Sequence, residues 1–549
     1  MTLNKKLLIK TPVEYVVPVL AIASLLVSCI IISYRKFFWM DELFSYYLLG
    51  DPSFNHMMVA FSDKFNNTPP LYFLIGWLWA KVFSSTELSL RLFSSLGICI
   101  ACATIWITLR RTYGFWSASI GTLGVFCVSD IILSQNAEAR MYGLFLAVCS
   151  LGLLQFDTIG RKSKCSWSII ILNICIHVAI VQTHLFGLFY SGAIVFALIV
   201  RDRYFKVFRP KIYLATVLSW LSLIPYIPAF INQADAGNPR SWLQSPSLKD
   251  LIDLFSLSSS LSFFSKFILL FLILISGLKF IYQANQNRIA HESKQNYQSE
   301  RAKISLLIFA YSFLLVPIFV WMVSRTIKPI FFDRYMIPST LSWSILLAYL
   351  SSCISEASSN HPIISARLKK NKYSTASPIS LLLLILIPIL VIQPVSYAKS
   401  FSKEQLPGLN DNKYGYKDLP IVAQFSHDFI RRFHYSPEKN RYFFILDWEA
   451  ALDSRSGRFP PQEYKTMDAL KRNYPDLFQD NILKSEVFLK KYNQFLVLDY
   501  LDNERKCTLE DFHCSRWLDM RIMSSHYKLT NLGKIDSRKL LLVEENDKM

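Results

Sequence analysis

Tyr34-Arg35-Lys36-Phe37-Phe38-Trp39-Met40-Asp41-Glu42 is the stretch on which the reading of this chain turns. It directly follows residues 13–33, an apolar run whose one charge is Glu14. A helix needs about 20 apolar residues to cross a bilayer, so 13–33 reads as a span. Two carboxylates set among aromatics just past a span are costly unless something uses them. A solvated acidic loop is the alternative, and the rest of the chain has to decide between the two.

Composition sets the class. With 52% hydrophobic and 15% aromatic residues in 549, this is a polytopic helical membrane protein rather than a soluble multidomain one. Apolar runs of spanning length recur through residues 1–396, a transmembrane domain, and 397–549 remain for a small soluble domain. The first run is too long for a signal-peptide core and lacks a small-residue cleavage site, so it reads as a retained anchor. The net charge of +19 does not imply nucleic acid. Its excess lies in short loops between apolar runs: Arg110 and Arg111; Arg161, Lys162 and Lys164; Arg201, Arg203, Lys206, Arg209 and Lys211; and again around 288–303 and 367–372. That is the positive-inside pattern.

Basic loops orient the chain. With Lys5, Lys6 and Lys10 cytoplasmic, Asp41 and Glu42 lie outside, and Arg110 and Arg111 return inside. Residues 88–109 are long enough to make that return. The shorter 70–84, which starts after Pro69 and carries Lys81, reads as a juxtamembrane helix against the outer leaflet. Spans near 115–133, 141–158, 166–183, 185–200, 212–231, 262–283, 304–324, 336–354 and 378–396 complete about eleven crossings. They place the N-terminus in the cytoplasm and the C-terminal domain outside, as in a multi-pass plasma (inner) membrane protein. The tail alternates helical patterns with apolar strands at 442–446, 495–498 and 540–543, which predicts an α/β or α+β domain. Cys507 and Cys514 are the tail's only cysteines. They are either a short-loop disulfide, suited to an oxidising compartment, or unpaired.

So oriented, the outer loops collect carboxylates and cations on one leaflet. They offer Asp41, Glu42, His56, Asp63 and Lys64; Glu138 and Arg140; His184; Arg240 and Trp242; and Arg325, Lys328, Asp333, Arg334 and Tyr335. Arginine and lysine can hold a phosphate by charge-assisted hydrogen bonds. A carboxylate can take the proton of an attacking hydroxyl, and an apolar groove can hold a lipid tail. The set suits transfer of a sugar from a lipid phosphate. Each member also has a structural reading: Arg140 pairing with Glu138 or Glu42, His184 as a turn donor, Arg334 and Tyr335 as interfacial anchors, and Asp63 and Lys64 as solvated.

The order of motifs resembles the GT-C superfamily of integral-membrane glycosyltransferases, in the bacterial branch similar to protein O-mannosyltransferases and lipid A aminoarabinose transferases. The resemblance is carried by Trp39-Met40-Asp41-Glu42, Asn67-Thr68-Pro69-Pro70-Leu71-Tyr72 and Glu87-Leu88-Ser89-Leu90-Arg91-Leu92. Glu138-Ala139-Arg140-Met141-Tyr142, Thr183-His184-Leu185-Phe186-Gly187 and Asp333-Arg334-Tyr335-Met336-Ile337-Pro338 continue it. It implies a polyprenyl-phosphate sugar donor, with Asp41 as general base and Glu42 in support. Arg140 would organise the first loop or the phosphate, and Lys328, Arg334 and Tyr335 would meet the phosphate. Glu138, His184 and Arg240 complete the expected substrate-binding set. No cofactor is required by this chemistry, although Asp41, Glu42 and Glu138 could hold a divalent cation. Thr68 departs from the basic residue or His that related branches often carry there, and the C-terminal domain matches no motif, which leaves the acceptor open as lipid, glycan or protein. The rival reading is a transporter or flippase for a lipid-linked or anionic substrate. Against it stand the absence of an evident internal repeat and the gathering of polar groups on one leaflet.

Overall fold

The structure, a computed structural model, describes residues 12–162, 165–240, 242–258, 274, 277, 294–360, 378–499, 515–523 and 527–546. The expected crossing at 262–283, apart from Leu274 and Gly277, lies outside the described residues, as do Cys507 and Cys514.

Helix α1 (Val16–Arg35) leads into α2 (Met40–Leu49), α3 (Phe54–Phe61) and α4 (Leu71–Phe83). The bundle continues with α5 (Glu87–Arg110), α6 (Phe115–Phe126), α7 (Asp130–Gln135), α8 (Tyr142–Gly160), α9 (Trp167–Thr183) and α10 (Gly187–Tyr204). Then come α11 (Pro210–Ser219), α12 (Ile227–Ala234), α13 (Leu248–Phe255), α14 (Lys294–Thr326), α15 (Thr340–Asn360) and α16 (Pro378–Ser400). Among the described residues, six helical segments are long and apolar enough to cross a membrane. Of the other expected crossings, 115–133 and 166–183 fall on shorter apolar helices. The 115–133 run is broken between α6 and α7, where Asp130 opens a new helix. The 212–231 run is one of the six, inside the helical segment Pro210–Gly237; that segment passes through a 3₁₀ stretch, Trp220–Tyr226, containing Pro225, because proline cannot donate to the helical ladder. His184 takes an extended backbone conformation between α9 and α10 and so separates the two spans.

The bundle is built around a seam between α5 and α8, with α1 packed between α5 and α16. Glycine permits the seam. A Cβ on Gly143 would collide with the Ser94 carbonyl, and one on Gly97 with the backbone of Gly143. The two ends of the bundle differ in charge. At one end Arg110 pairs with Glu14, Arg161 with Asp157, and Arg201 and Arg209 both with Asp202. At the other lie α2, α3 and the C-terminal domain.

That domain is a six-stranded sheet in the order β3-β2-β1-β4-β6-β5. Its strands are β1 (Ile421–Ala423), β2 (Tyr442–Leu446), β3 (Ile482–Lys484), β4 (Gln494–Asp499), β5 (Tyr527–Ile535) and β6 (Arg538–Glu545). The first four are parallel and the last two antiparallel. Crossovers carry α17 (Ser426–Tyr435), α18 (Pro460–Asn473) and α19 (Ser485–Lys491). Alternate residues of β2 and β4 enter different cores: Phe443, Ile445, Phe495 and Val497 on one face, Phe444, Leu446, Leu496 and Leu498 on the other. Burial on both faces explains why these strands read as unbroken apolar runs. The expected strands at 442–446, 495–498 and 540–543 lie in β2, β4 and β6. The short β1 and β3 and the polar β5 carry too weak a pattern to be read.

The sheet domain docks on the first loop. The Tyr435 hydroxyl accepts from the Phe38 N–H at 2.9 Å, and the Tyr474 hydroxyl donates to the Tyr47 carbonyl at 3.0 Å. Asp63 and Lys64 are not simply solvated: Asp63 pairs with Arg472 at 3.2 Å and Lys64 with Asp235 at 2.6 Å.

Candidate active site

The two neighbouring carboxylates have different fates. Glu42 is buried and grips Arg91, whose Nε and Nη2 donate to its two oxygens at 2.9 and 2.8 Å. Arg91 also donates to the carbonyls of Lys36 and Phe37 at 2.7 and 3.1 Å. The Ala139 N–H reaches Glu42 at 2.8 Å. Glu42 therefore ties the first loop, α5 and the 136–141 turn together, and its lone pairs are committed to that task. Its role is to fix the loop on which Asp41 sits.

Asp41, one residue earlier on α2, points elsewhere. Its Oδ2 accepts from Arg334 Nη2 at 3.1 Å, and Arg140 Nη2 lies 3.7 Å away. Arg140 also donates to the Asp41 carbonyl at 3.1 Å, so it organises the loop. The Arg334 guanidinium lies over the rings of Trp39, Tyr142 and Phe332 at 5.2, 5.5 and 4.8 Å. Three aromatic faces hold the cation in place while one of its nitrogens meets Asp41.

Two cavities share lining residues here; Arg334 lines the smaller, and Asp41 lines neither. The smaller, about 440 Å³, is lined by Trp39, Glu42, Arg91, Glu138 and Arg334 from the bundle and by His427 and Arg431 from α17. The larger, about 810 Å³, is walled by Trp242, Phe331, Phe332 and a set of aspartates. Ser134 and Tyr397 line both. Glu138 faces the smaller one with its Oε2 unpartnered, and burial, then the nearby Glu42 charge, push its pKa up to about 7. Among the described residues no three His, Cys, Asp or Glu side chains gather as a metal cage.

The remaining expected residues divide. Tyr335 stacks on Tyr142 with ring centroids 6.3 Å apart and packs on His184 at 5.1 Å. His184 is buried among Phe145, Phe186 and these tyrosines. Its Nδ1 accepts from the Phe186 N–H at 3.1 Å. Burial, reinforced by Arg140 and Arg334, pushes its pKa down to about 3, so it supports the aromatic wall as a neutral ring. Arg240 does not meet the cavity. It donates to the carbonyls of Ala451, Asp453 and Ser456 at 2.7, 3.2 and 2.8 Å and clamps the C-terminal domain. Lys328 is exposed and lines neither cavity. Sequence reasoning did not single out Arg91, whose signal was a charge one turn inside an apolar helix. It also passed over Lys36, His427 and Arg431, which only the tertiary fold brings to the cavity.

No family model matches the chain, and no curated protein matches it by sequence. Among solved structures, it is similar to ArnT from Cupriavidus metallidurans, determined bound to undecaprenyl phosphate. The two share 13% identity and superpose with a TM-score of 0.53, over 97% of this chain and 98% of that one. From its first span through its sheet domain, the chain thus shares the fold of ArnT.

Proposed function

We propose that the protein is a glycosyltransferase that moves a monosaccharide from a polyprenyl-phosphate donor to an acceptor on the extracytoplasmic side of the inner membrane. The observation that carries this is Asp41 held at 3.1 Å from Arg334, where Arg334 forms part of the wall of a cation-lined cavity. Undecaprenyl phosphate in the similarly folded ArnT supports a polyprenyl phosphate as the sugar's carrier.

In this reading the donor phosphate lies against Arg334 and the acceptor enters from the larger cavity. The acceptor oxygen attacks the anomeric carbon as the bond from that carbon to the phosphate oxygen breaks. The electron pair leaves with the polyprenyl phosphate, whose charge Arg334 stabilises. The acceptor proton passes to Asp41. The phosphate competes with Asp41 for the Arg334 guanidinium, so donor binding loosens the carboxylate when it is needed as a base. One base opposite one leaving group gives inversion. Glu138, partly protonated near neutrality, can sit beside the anionic donor without full repulsion.

The test is sugar transfer or release from a panel of polyprenyl-phosphate sugars by purified protein in lipid, with Asp41→Asn and Arg334→Gln beside wild type. Asp41→Asn is expected to lose turnover and keep donor binding, and Arg334→Gln to lose both. Near-full turnover in Asp41→Asn removes it as the base. Movement of a lipid-linked substrate across the bilayer without covalent change points to a transporter.

A further inference from the structure

The smaller cavity concentrates unsatisfied polar atoms. Trp39 Nε1, Arg334 Nε and Arg431 Nε are buried donors without a hydrogen-bond partner, and Glu138 Oε2 is a buried acceptor without one. All four residues line the same space. Buried polar groups are nearly always paired, so four orphans around one cavity describe the ligand that would satisfy them. Three donors call for an oxyanion and the acceptor calls for a hydroxyl.

Two cations complete the ring. Lys36, at the end of α1, lines the cavity with its Nζ 3.6 Å from the centre of the Phe401 ring. No salt bridge engages it among the described residues. Burial lowers its pKa, the response of an ammonium short of both water and a close counter-charge. Arg431 belongs to α17, in the C-terminal domain. Its Nη2 is held by Glu404 at 2.7 Å, and Glu404 in turn accepts from the Phe37 N–H at 3.0 Å. This chain of bonds fixes Arg431 to the first loop and leaves its Nε as the orphan.

We infer that Lys36, Trp39 and Arg431, together with Arg334, form a glycosyl-phosphate site shared between the first loop and the C-terminal domain. Arg431 and Lys36 bind the phosphate oxygens, Trp39 donates to one of them, and Glu138 accepts from a sugar hydroxyl. The C-terminal domain is thereby a working part of the site, although no motif in it announces this. The inference rests on the proposed reaction for the identity of the ligand, but the site can be tested without turnover.

The probe is undecaprenyl phosphate, with undecaprenol as the uncharged control, bound to the full chain in lipid. Wild type is expected to prefer the phosphate. Arg431→Gln should weaken its binding by tenfold or more, the scale of one lost charge-assisted bond, and Arg431→Lys should recover part of it. In turnover the KM for donor should rise more than kcat falls, a split that a merely structural defect does not produce. Lys36→Gln, which breaks no ion pair among the described residues, gives an independent measure should Arg431→Gln fold poorly. Phosphate affinity unchanged in both variants overturns the shared site, as does equal binding of undecaprenol and undecaprenyl phosphate by wild type. Preference for the phosphate in wild type, lost in these variants but accompanied by no sugar transfer, supports the site and removes the reaction.

Discussion

Replacing Glu42 with Gln separates a loop-fixing carboxylate from a catalytic one. The side chains of Glu42 and Arg91 are only 1% and 2% exposed, so the pair lies out of reach of solvent screening. Removing one charge of such a pair costs about 3–5 kcal/mol because the other is left buried and uncompensated. Gln keeps the shape and one acceptor oxygen for the Ala139 N–H, and Arg91 keeps two carbonyl partners. The lower end, about 3 kcal/mol, is therefore expected. At roughly 2–4 °C per kcal/mol, the scale for domains somewhat smaller than this bundle, the unfolding midpoint should fall by about 6–12 °C. The chain carries its own reporters, since Cys29, Cys99, Cys102, Cys127 and Cys149 are buried and unpaired. A thiol-reactive dye read against temperature follows their exposure. Adding Arg91→Gln should restore part of the loss, because the stranded charge is then gone. A Glu42→Gln midpoint equal to wild type, with turnover abolished, would refute the reasoning and return Glu42 to the chemistry.

Other outcomes follow from the same geometry. Gly143→Ala should push α8 off the Ser94 carbonyl and cost about 1–3 kcal/mol or more by overpacking, read as a lower midpoint in the thiol assay. Donor affinity should fall as pH rises through about 7, where Glu138 gains its charge beside the phosphate; in Glu138→Gln the binding profile across that range should flatten. His56 bridges the Asp51 carboxylate and the Asn473 carbonyl through its two ring nitrogens, which requires both to be protonated, and Asp51 raises its pKa above 6.5. That contribution is fully present below pH 6.5 and lost as pH rises through the raised value, so amide protection around 470–476, taken relative to the intrinsic exchange rate at each pH, should fall at alkaline pH in wild type and stay level there in His56→Gln. Arg240→Ala should leave donor binding intact while loosening the 451–456 turn, measured as faster proteolysis at that point.

The legible parts of this molecule were those written in local pattern. Apolar runs announced the bundle, and the position of Asp41 after α1 pointed to the candidate site, because a carboxylate there has few inexpensive explanations. Strands with four or five consecutive apolar residues were readable, whereas three-residue β1 and β3 were not. Pairing was the illegible part. Asp41 and Glu42 look equivalent in sequence, yet α2 turns one toward Arg334 and the other toward Arg91, and nothing short of the fold says which. Arg240 resembled a ligand-binding residue because its partners are backbone carbonyls some 211–216 positions away, and carbonyls have no sequence signature. Lys328, close in sequence to Arg334, lies exposed and lines neither cavity, because the chain between them turns it to the surface.

The docking of the sheet domain on the first loop also sets an order of assembly. Phe38 waits for Tyr435, 397 positions later, Phe37 waits for Glu404, 367 positions later, and Tyr47 for Tyr474, 427 positions later. At about 5–20 residues per second of synthesis, the loop bearing Asp41 emerges tens of seconds before the groups that complete its surroundings. A chain interrupted before its sheet domain would carry the carboxylate without the groups that surround it. The surroundings of Asp41 are complete only once the sheet domain has been made.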